Sequence, residues 1–271
     1  RYICSLFSAV TLFYSLFVLG FAVSYQGTPL ENKLGIIRQN VSAEELYDTS
    51  GILLEKIHEL VPDIKYRYGS LSVKPFALSE MNALLNKSYE ITAAKYPFLP
   101  VLRSNVKYIV LSEFMTYTHI SGVYTYYTGE ANININFPDY TLPFTAAHEM
   151  SHQRGIARED EANFMAFLVC IGSENKYIRY SGYLNMFEYV SGALYSADKE
   201  AYNKILDKTD LRIRYEMIAY SRFFDKYRES AASEISTAVN DTFLKSQGQE
   251  EGTKSYGKVV DLAVAYYKES L

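Results

Sequence analysis

No side chain is charged between Tyr2 and Leu30, and Ile3 to Val23 is a mostly apolar run without a polar face. At 1.5 Å per residue, a helix of 21 residues spans about 31 Å, close to the ~30 Å hydrocarbon core of a bilayer. Residues 1–25 therefore read as a transmembrane helix at the cell membrane, with Cys4, Ser5, Ser8, Thr11 and Ser15 as positions that pack on other helices. The run is too long for the apolar core of a usual signal peptide, and no basic segment precedes it. It is also long for a buried core helix with no polar side. Residues 26–40, with Gly27 and Pro29, form a polar connector, and 41–271 form the remaining domain.

Beyond the connector the period changes. Ser42-Ala43-Glu44-Glu45 is a capping box opening a helix with Leu46, Leu53, Ile57 and Leu60 inward, stopped at Pro62. Ser79 is expected to cap a second helix that runs to about Lys95. Three strands follow: a buried one at Val106 to Leu111, one at Gly122 to Tyr127, and one at Glu130 to Phe137. The last alternates cleanly, with Ala131, Ile133, Ile135 and Phe137 on one face and Glu130, Asn132, Asn134 and Asn136 on the other. At a sheet edge such a strand would align an extended peptide by backbone pairing. From Pro143 onward the pattern is helical. The longest helix is expected from Asp210 to Leu244 on core positions Ile213, Met217, Tyr220, Phe224, Tyr227, Ala231 and Ile235. A polar break at Ser246 to Thr253 then precedes a last helix. The expected class is α+β, mainly α, with one small sheet ahead of a functional helix.

Composition narrows the functions. The net charge is −4, which gives no broad basic surface and argues against nucleic acid as a partner. Cys4 and Cys170 are the two cysteines, too few for a four-thiolate metal site. Cys170, among Phe167, Leu168, Val169 and Ile171, reads as a small buried thiol.

Residues 148–152 read His-Glu-Met-Ser-His. On a helix the two histidines, four apart, project from one face, the spacing at which two imidazoles grip one Zn²⁺. Glu149 sits where its carboxylate can take a proton from a metal-activated water and serve as general base. Random placement would produce this motif with a probability of roughly 0.5%. Thr141 is a candidate cap for the helix and Pro143 suits its first turn, while Gly155 can end it in a left-handed turn. Tyr180, Tyr183 and His119 are candidates for a further oxyanion donor, and His58 reads as a solvated residue. Arg158 is a candidate for a substrate carboxylate or for a structural ion pair with a neighbouring acid.

Glu159-x-x-Ala162-Asn163 resembles the Glu-x-x-Ala-Asp signature of gluzincin-type peptidases such as the CAAX-processing and HtpX-like membrane enzymes. The resemblance implies Glu159 as the third metal ligand and Asn163, in place of Asp, as the group that orients a ligand histidine. The same run resembles sites in zinc peptidases that cleave phage-type repressors, which makes Glu161 the alternative ligand. The stretch HEMSHQRGIAREDEANFMAF is similar to an uncharacterised family of bacterial membrane proteins classed as a domain of unknown function. Together these resemblances imply a zincin-like metallopeptidase fold, with the soluble domain outside the cytoplasm and a peptide or protein as substrate. The competing expectation is a non-hydrolytic membrane protein whose zinc is structural or holds a bound peptide.

Overall fold

The computed structural model describes residues 2–67, 71–227, 231–247, 249 and 257–268. Helix α1 (Tyr2–Gly20) is the apolar segment. Together with the 3-10 turn Ala22–Gln26 it forms the one helix among the described residues long and apolar enough to cross a membrane. A short α2 (Leu30–Leu34) leads to α3 (Ala43–Leu60). Ser42 accepts from Glu45 N–H while the Glu45 side chain accepts from Ser42 N–H, so the capping box forms as expected.

A two-residue hairpin, β1 (Tyr66–Arg67) with β2 (Leu71–Ser72), precedes α4 (Leu78–Lys95). Ala77 takes the α4 cap position and Ser79 lies in its first turn without capping it. Next come β3 (Lys107–Tyr108), α5 (Ser112–Thr116), β4 (Gly122–Thr125) and β5 (Glu130–Ile133). The helices α6 (Thr141–His152), α7 (Glu159–Ile171), α8 (Lys176–Ala197) and α9 (Lys199–Lys208) follow. The chain closes with α10 (Leu211–Asp225), α11 (Ala231–Ser246) and α12 (Val259–Lys268). The protein is thus mainly helical with two small sheets.

The core is built on α7, whose residues from Asp160 to Cys170 are all buried. Helices α4, α6, α8 and α12 enclose it, and α3 packs along α8. The α7–α8 crossing is close enough that a Cβ on Gly182 would stand 2.5 Å from Cys170 Cβ. Burial of its thiol pushes the Cys170 pKa up, as expected for an inert core cysteine.

Three expected elements come out differently. The side chain of Asn82 bonds both the N–H and the carbonyl of Val106, replacing ladder bonds there. Only Lys107 and Tyr108 then pair, in parallel, with β5, and Val110 is 95% exposed, so no buried strand spans 106–111. The alternating strand ends at Ile133 because Asn134 is buried and builds a turn, donating to Thr116 and Ile120 and accepting from Asn136 N–H. The expected long helix stops at Asp225, and Tyr227 is clamped by Asn136 at its hydroxyl and His119 at its carbonyl. Helix α8, with 22 residues, is the longest described. Of the polar break, residues 248 and 250–253 lie outside the described residues.

The sheet order β3-β5-β4 also revises an expectation. Strand β5 has neighbours on both edges, parallel β3 and antiparallel β4, so its backbone is not open to a peptide. The free edge beside α6 belongs to β4, whose Gly122 packs against Glu149.

Candidate metal centre

All twelve residues of α6 are buried, so its polar side chains are placed by packing on every side. Its first N–H groups are not capped by Thr141, whose hydroxyl donates back to Pro138 O. Ser181 of α8 does this instead: it accepts from Phe144 N–H and donates to Tyr140 O. Pro143 lies in the first turn, where a missing N–H leaves no bond unmade. Farther along, Tyr89 bonds Ala147 O and Ser151, and its ring lies 3.6 Å beneath the Arg154 guanidinium.

The helix ends in a Schellman turn. Ile156 N–H bonds Ser151 O and Gly155 N–H bonds His152 O, with Gly155 at φ 80°. The turn brings the Ile156 carbonyl back to within 2.7 Å of His152 Nδ1. On the other ligand candidate, His148 Nδ1 lies 2.8 Å from Asn163 Oδ1 on α7. Both partners are acceptors, an arrangement that favours a proton on each Nδ1 and, in the neutral imidazoles, leaves each Nε2 lone pair available.

Those two Nε2 atoms are 3.1 Å apart. Glu159 Oε2, from the first turn of α7, lies 3.1 Å from His148 Nε2 and 3.6 Å from His152 Nε2. One donor atom from each of these buried residues falls within 4.8 Å of the others, so the group could hold a metal ion. Proton affinities across the group are displaced as well. Burial alone would depress the His152 pKa, but the Glu159 carboxylate outweighs it and holds the imidazole up at about 9. Burial would likewise raise Glu159, and the two imidazoles instead hold its carboxyl far below the usual range.

Glu149 faces the same space. Its pKa is raised by burial, against the pull of His148 and His152 and the N–H of Tyr124. Gly122 of β4 is packed against this carboxylate: a Cβ there would stand 2.8 Å from Glu149 Cγ, 2.9 Å from Cδ and closer still to Oε1. The strand thus positions Glu149 through a missing side chain and one backbone donor. The four side chains line a cavity of about 1040 Å³, bounded by β4, by Tyr189 of α8 and by α11. The end of the apolar helix, Phe21 and Tyr25, forms part of its wall.

A family model described as "Protein of unknown function (DUF3810)" matches residues 1–264. The chain belongs to this family. No curated protein and no solved structure matches it.

In this DUF3810 chain the three acids that open α7 go separate ways. Glu159 meets the histidines. Asp160 pairs with Arg38 at 2.8 Å. Glu161 accepts from Leu30 N–H and from Arg158, so the alternative ligand is turned toward the connector instead. Arg158 also donates to Tyr25 O and Gly27 O, a structural role between the apolar helix and α7. Tyr180 bonds Glu216 and Tyr66, and Tyr183 packs edge-on to Phe167; neither lines the cavity. His119 does line it, with its ring tied to Tyr227 O. His58 accepts from Asp210 N–H and is engaged rather than solvated.

Gly122, Tyr124, Tyr189 and Phe21 escaped sequence reasoning. Tyr189 stands beside Asn163, and enclosure with Glu188 and Glu159 nearby pushes its phenol up to about 12. The one available signal was Gly122 as the first residue of an otherwise β-branched and aromatic run.

Proposed function

We propose that this chain is a membrane-anchored zinc metallopeptidase with a zincin-like arrangement, hydrolysing peptide bonds with Glu149 as general base. The observation that carries the reading is the convergence of His148 Nε2, His152 Nε2 and Glu159 Oε2, with both Nδ1 atoms already engaged. Two imidazoles and a carboxylate, with no cysteine in the group, are the donor set of a catalytic rather than a structural zinc site. Zinc held there would act as a Lewis acid and lower the pKa of a water molecule toward ~7.

The remaining work falls to the chain. Burial raises the proton affinity of Glu149, which suits its carboxylate to accept a proton from water and return it to the leaving amine. Gly122 and the Tyr124 N–H hold that carboxylate against the cavity. The outer edge of β4, which borders the cavity, would align an extended substrate antiparallel or parallel to itself. Asn163 and the Ile156 carbonyl keep the imidazoles in the tautomer that binds metal.

The test uses the full chain purified in detergent. One zinc per chain is expected, absent from His148→Ala. An unstructured protein should be cleaved, with the activity blocked by a chelator. Glu149→Gln should retain zinc and lose turnover. Wild-type protein without zinc, or undiminished turnover in Glu149→Gln, would overturn the reading.

A further inference from the structure

The apolar helix does more than lead into the domain. Phe21, directly after α1, packs on Tyr124 of β4 (ring centroids 5.3 Å) and edge-on to the ligand histidine His152 (5.9 Å). One turn back, Phe17 meets Tyr126 at 4.8 Å and Phe243 of α11 at 5.8 Å. Another turn back, Phe13 meets Tyr127 at 5.6 Å. The β4–β5 turn therefore lies alongside the middle of the segment apolar enough to cross a membrane, at Phe13 and Phe17.

The apolar segment runs from Cys4 to Gln26, so Phe13, Phe17 and Phe21 all lie within it. Phe13 stands eight residues before Phe21, about 12 Å along the helix, and the turn bearing Tyr126 and Tyr127 reaches back over that length into the segment. The turn is built for that position: Tyr126-Tyr127-Thr128-Gly129 carries no charge, and Tyr127 is 48% exposed. The first charge after it, Glu130, is paired with Lys107. Elsewhere on the cavity wall α11 presents Ile235 and Val239, each 64% exposed.

We propose that the cleft takes an extended juxtamembrane segment of another membrane-anchored polypeptide, presented along the bilayer surface. This substrate class rests on the hydrolase reading above. The histidine pair lies against the end of this apolar segment, with Phe21 packed on His152, and an extended chain covers ~3.3–3.6 Å per residue, so the scissile bond falls within a few residues of the substrate's own span. The step is amide hydrolysis: water oxygen bonds to the carbonyl carbon, the C–N bond breaks, and the amine leaves with the proton Glu149 carried. A tethered segment reaches the cleft at an effective concentration that a dissolved peptide does not match.

Two measurements on the full chain in phosphatidylcholine vesicles test this. The protein has no Trp, so Tyr127→Trp is a unique depth reporter, with Thr128→Trp as its replacement should the first lose zinc. Lipids brominated along the acyl chain should quench most of its emission; an unquenched reporter overturns the placement. The second measurement compares degenerate segments of about ten residues, free or fused to an apolar helix of about twenty. Cleavage of the fused set should be ~10²-fold faster and decline as polar spacers lengthen. Equal, Glu149-dependent cleavage of both sets would overturn the membrane-proximal substrate and leave the hydrolase intact. No cleavage of either set by zinc-loaded protein would overturn the hydrolase and this inference with it.

Discussion

Adding one methyl group at Gly122 should separate metal binding from hydrolysis. The substitution Gly122→Ala places a Cβ 2.8–2.9 Å from Glu149 Cγ and Cδ, nearer still to Oε1, while none of its three nearest contacts belongs to His148, His152 or Glu159. The backbone at Gly122 has no left-handed φ, so the effect is one of space and not of conformation. Restoring ordinary contact requires the carboxylate to withdraw by roughly 1 Å, a displacement that costs about 10²-fold in rate when it falls on a reacting group. Overpacking of this kind destabilises by about 1–3 kcal/mol, which leaves a folded protein to measure. The assay is zinc content, helical circular dichroism and turnover on the same preparation. We expect full zinc, an unchanged spectrum and kcat lower by ~10²-fold. Turnover within roughly threefold of wild type would refute the reasoning, because a general base moved that far could not work normally.

Three further outcomes follow from other contacts. Asn163→Ala removes the acceptor on His148 Nδ1 and should weaken zinc affinity by about 10–100-fold in a chelator competition. Gly155→Ala meets no atom within 4 Å but must hold φ 80°, so denaturant unfolding should show a loss of about 1–2 kcal/mol. Glu188, which accepts from the Tyr140 hydroxyl, has its pKa pushed up by burial to about 8, with Glu216 adding to the rise. The folded protein therefore binds more protons than the unfolded chain between the ordinary carboxylate value and about 8, and stability falls as pH rises through that window. Glu188→Gln keeps an acceptor for Tyr140 and should flatten that decline, read as Tm against pH.

The short-range parts of the site were legible in the sequence. Spacing alone put His148 and His152 on one face, Gly155 marked the turn, and the capping box at Ser42 formed as written. The resemblance pointed to Glu159 and Asn163, which the fold brings against the same histidine. Long-range choices were not legible. Whether β4 or β5 became the edge depended on β3, a two-residue strand whose pairing no periodicity announces. The start of α6 is capped from α8 by Ser181, a residue that looks like any other serine on a helix. Asn82 and Asn134 each ended an element through side-chain bonds to distant backbone, overriding good apolar patterns. In the apolar run, Phe17 and Phe21 were indistinguishable from their exposed apolar neighbours until their partners Tyr126 and Tyr124 came into view.

Removing an apolar N-terminal segment is a common route to expression, and here it would misfire. A polypeptide started after Gly27 would lack Phe21 and Tyr25, leaving the flank of His152 bare to bulk water. Arg158 would lose its hold on the Tyr25 carbonyl, loosening the first turn of the helix that carries Glu159. Inactivity in that fragment would report a missing wall rather than a missing activity.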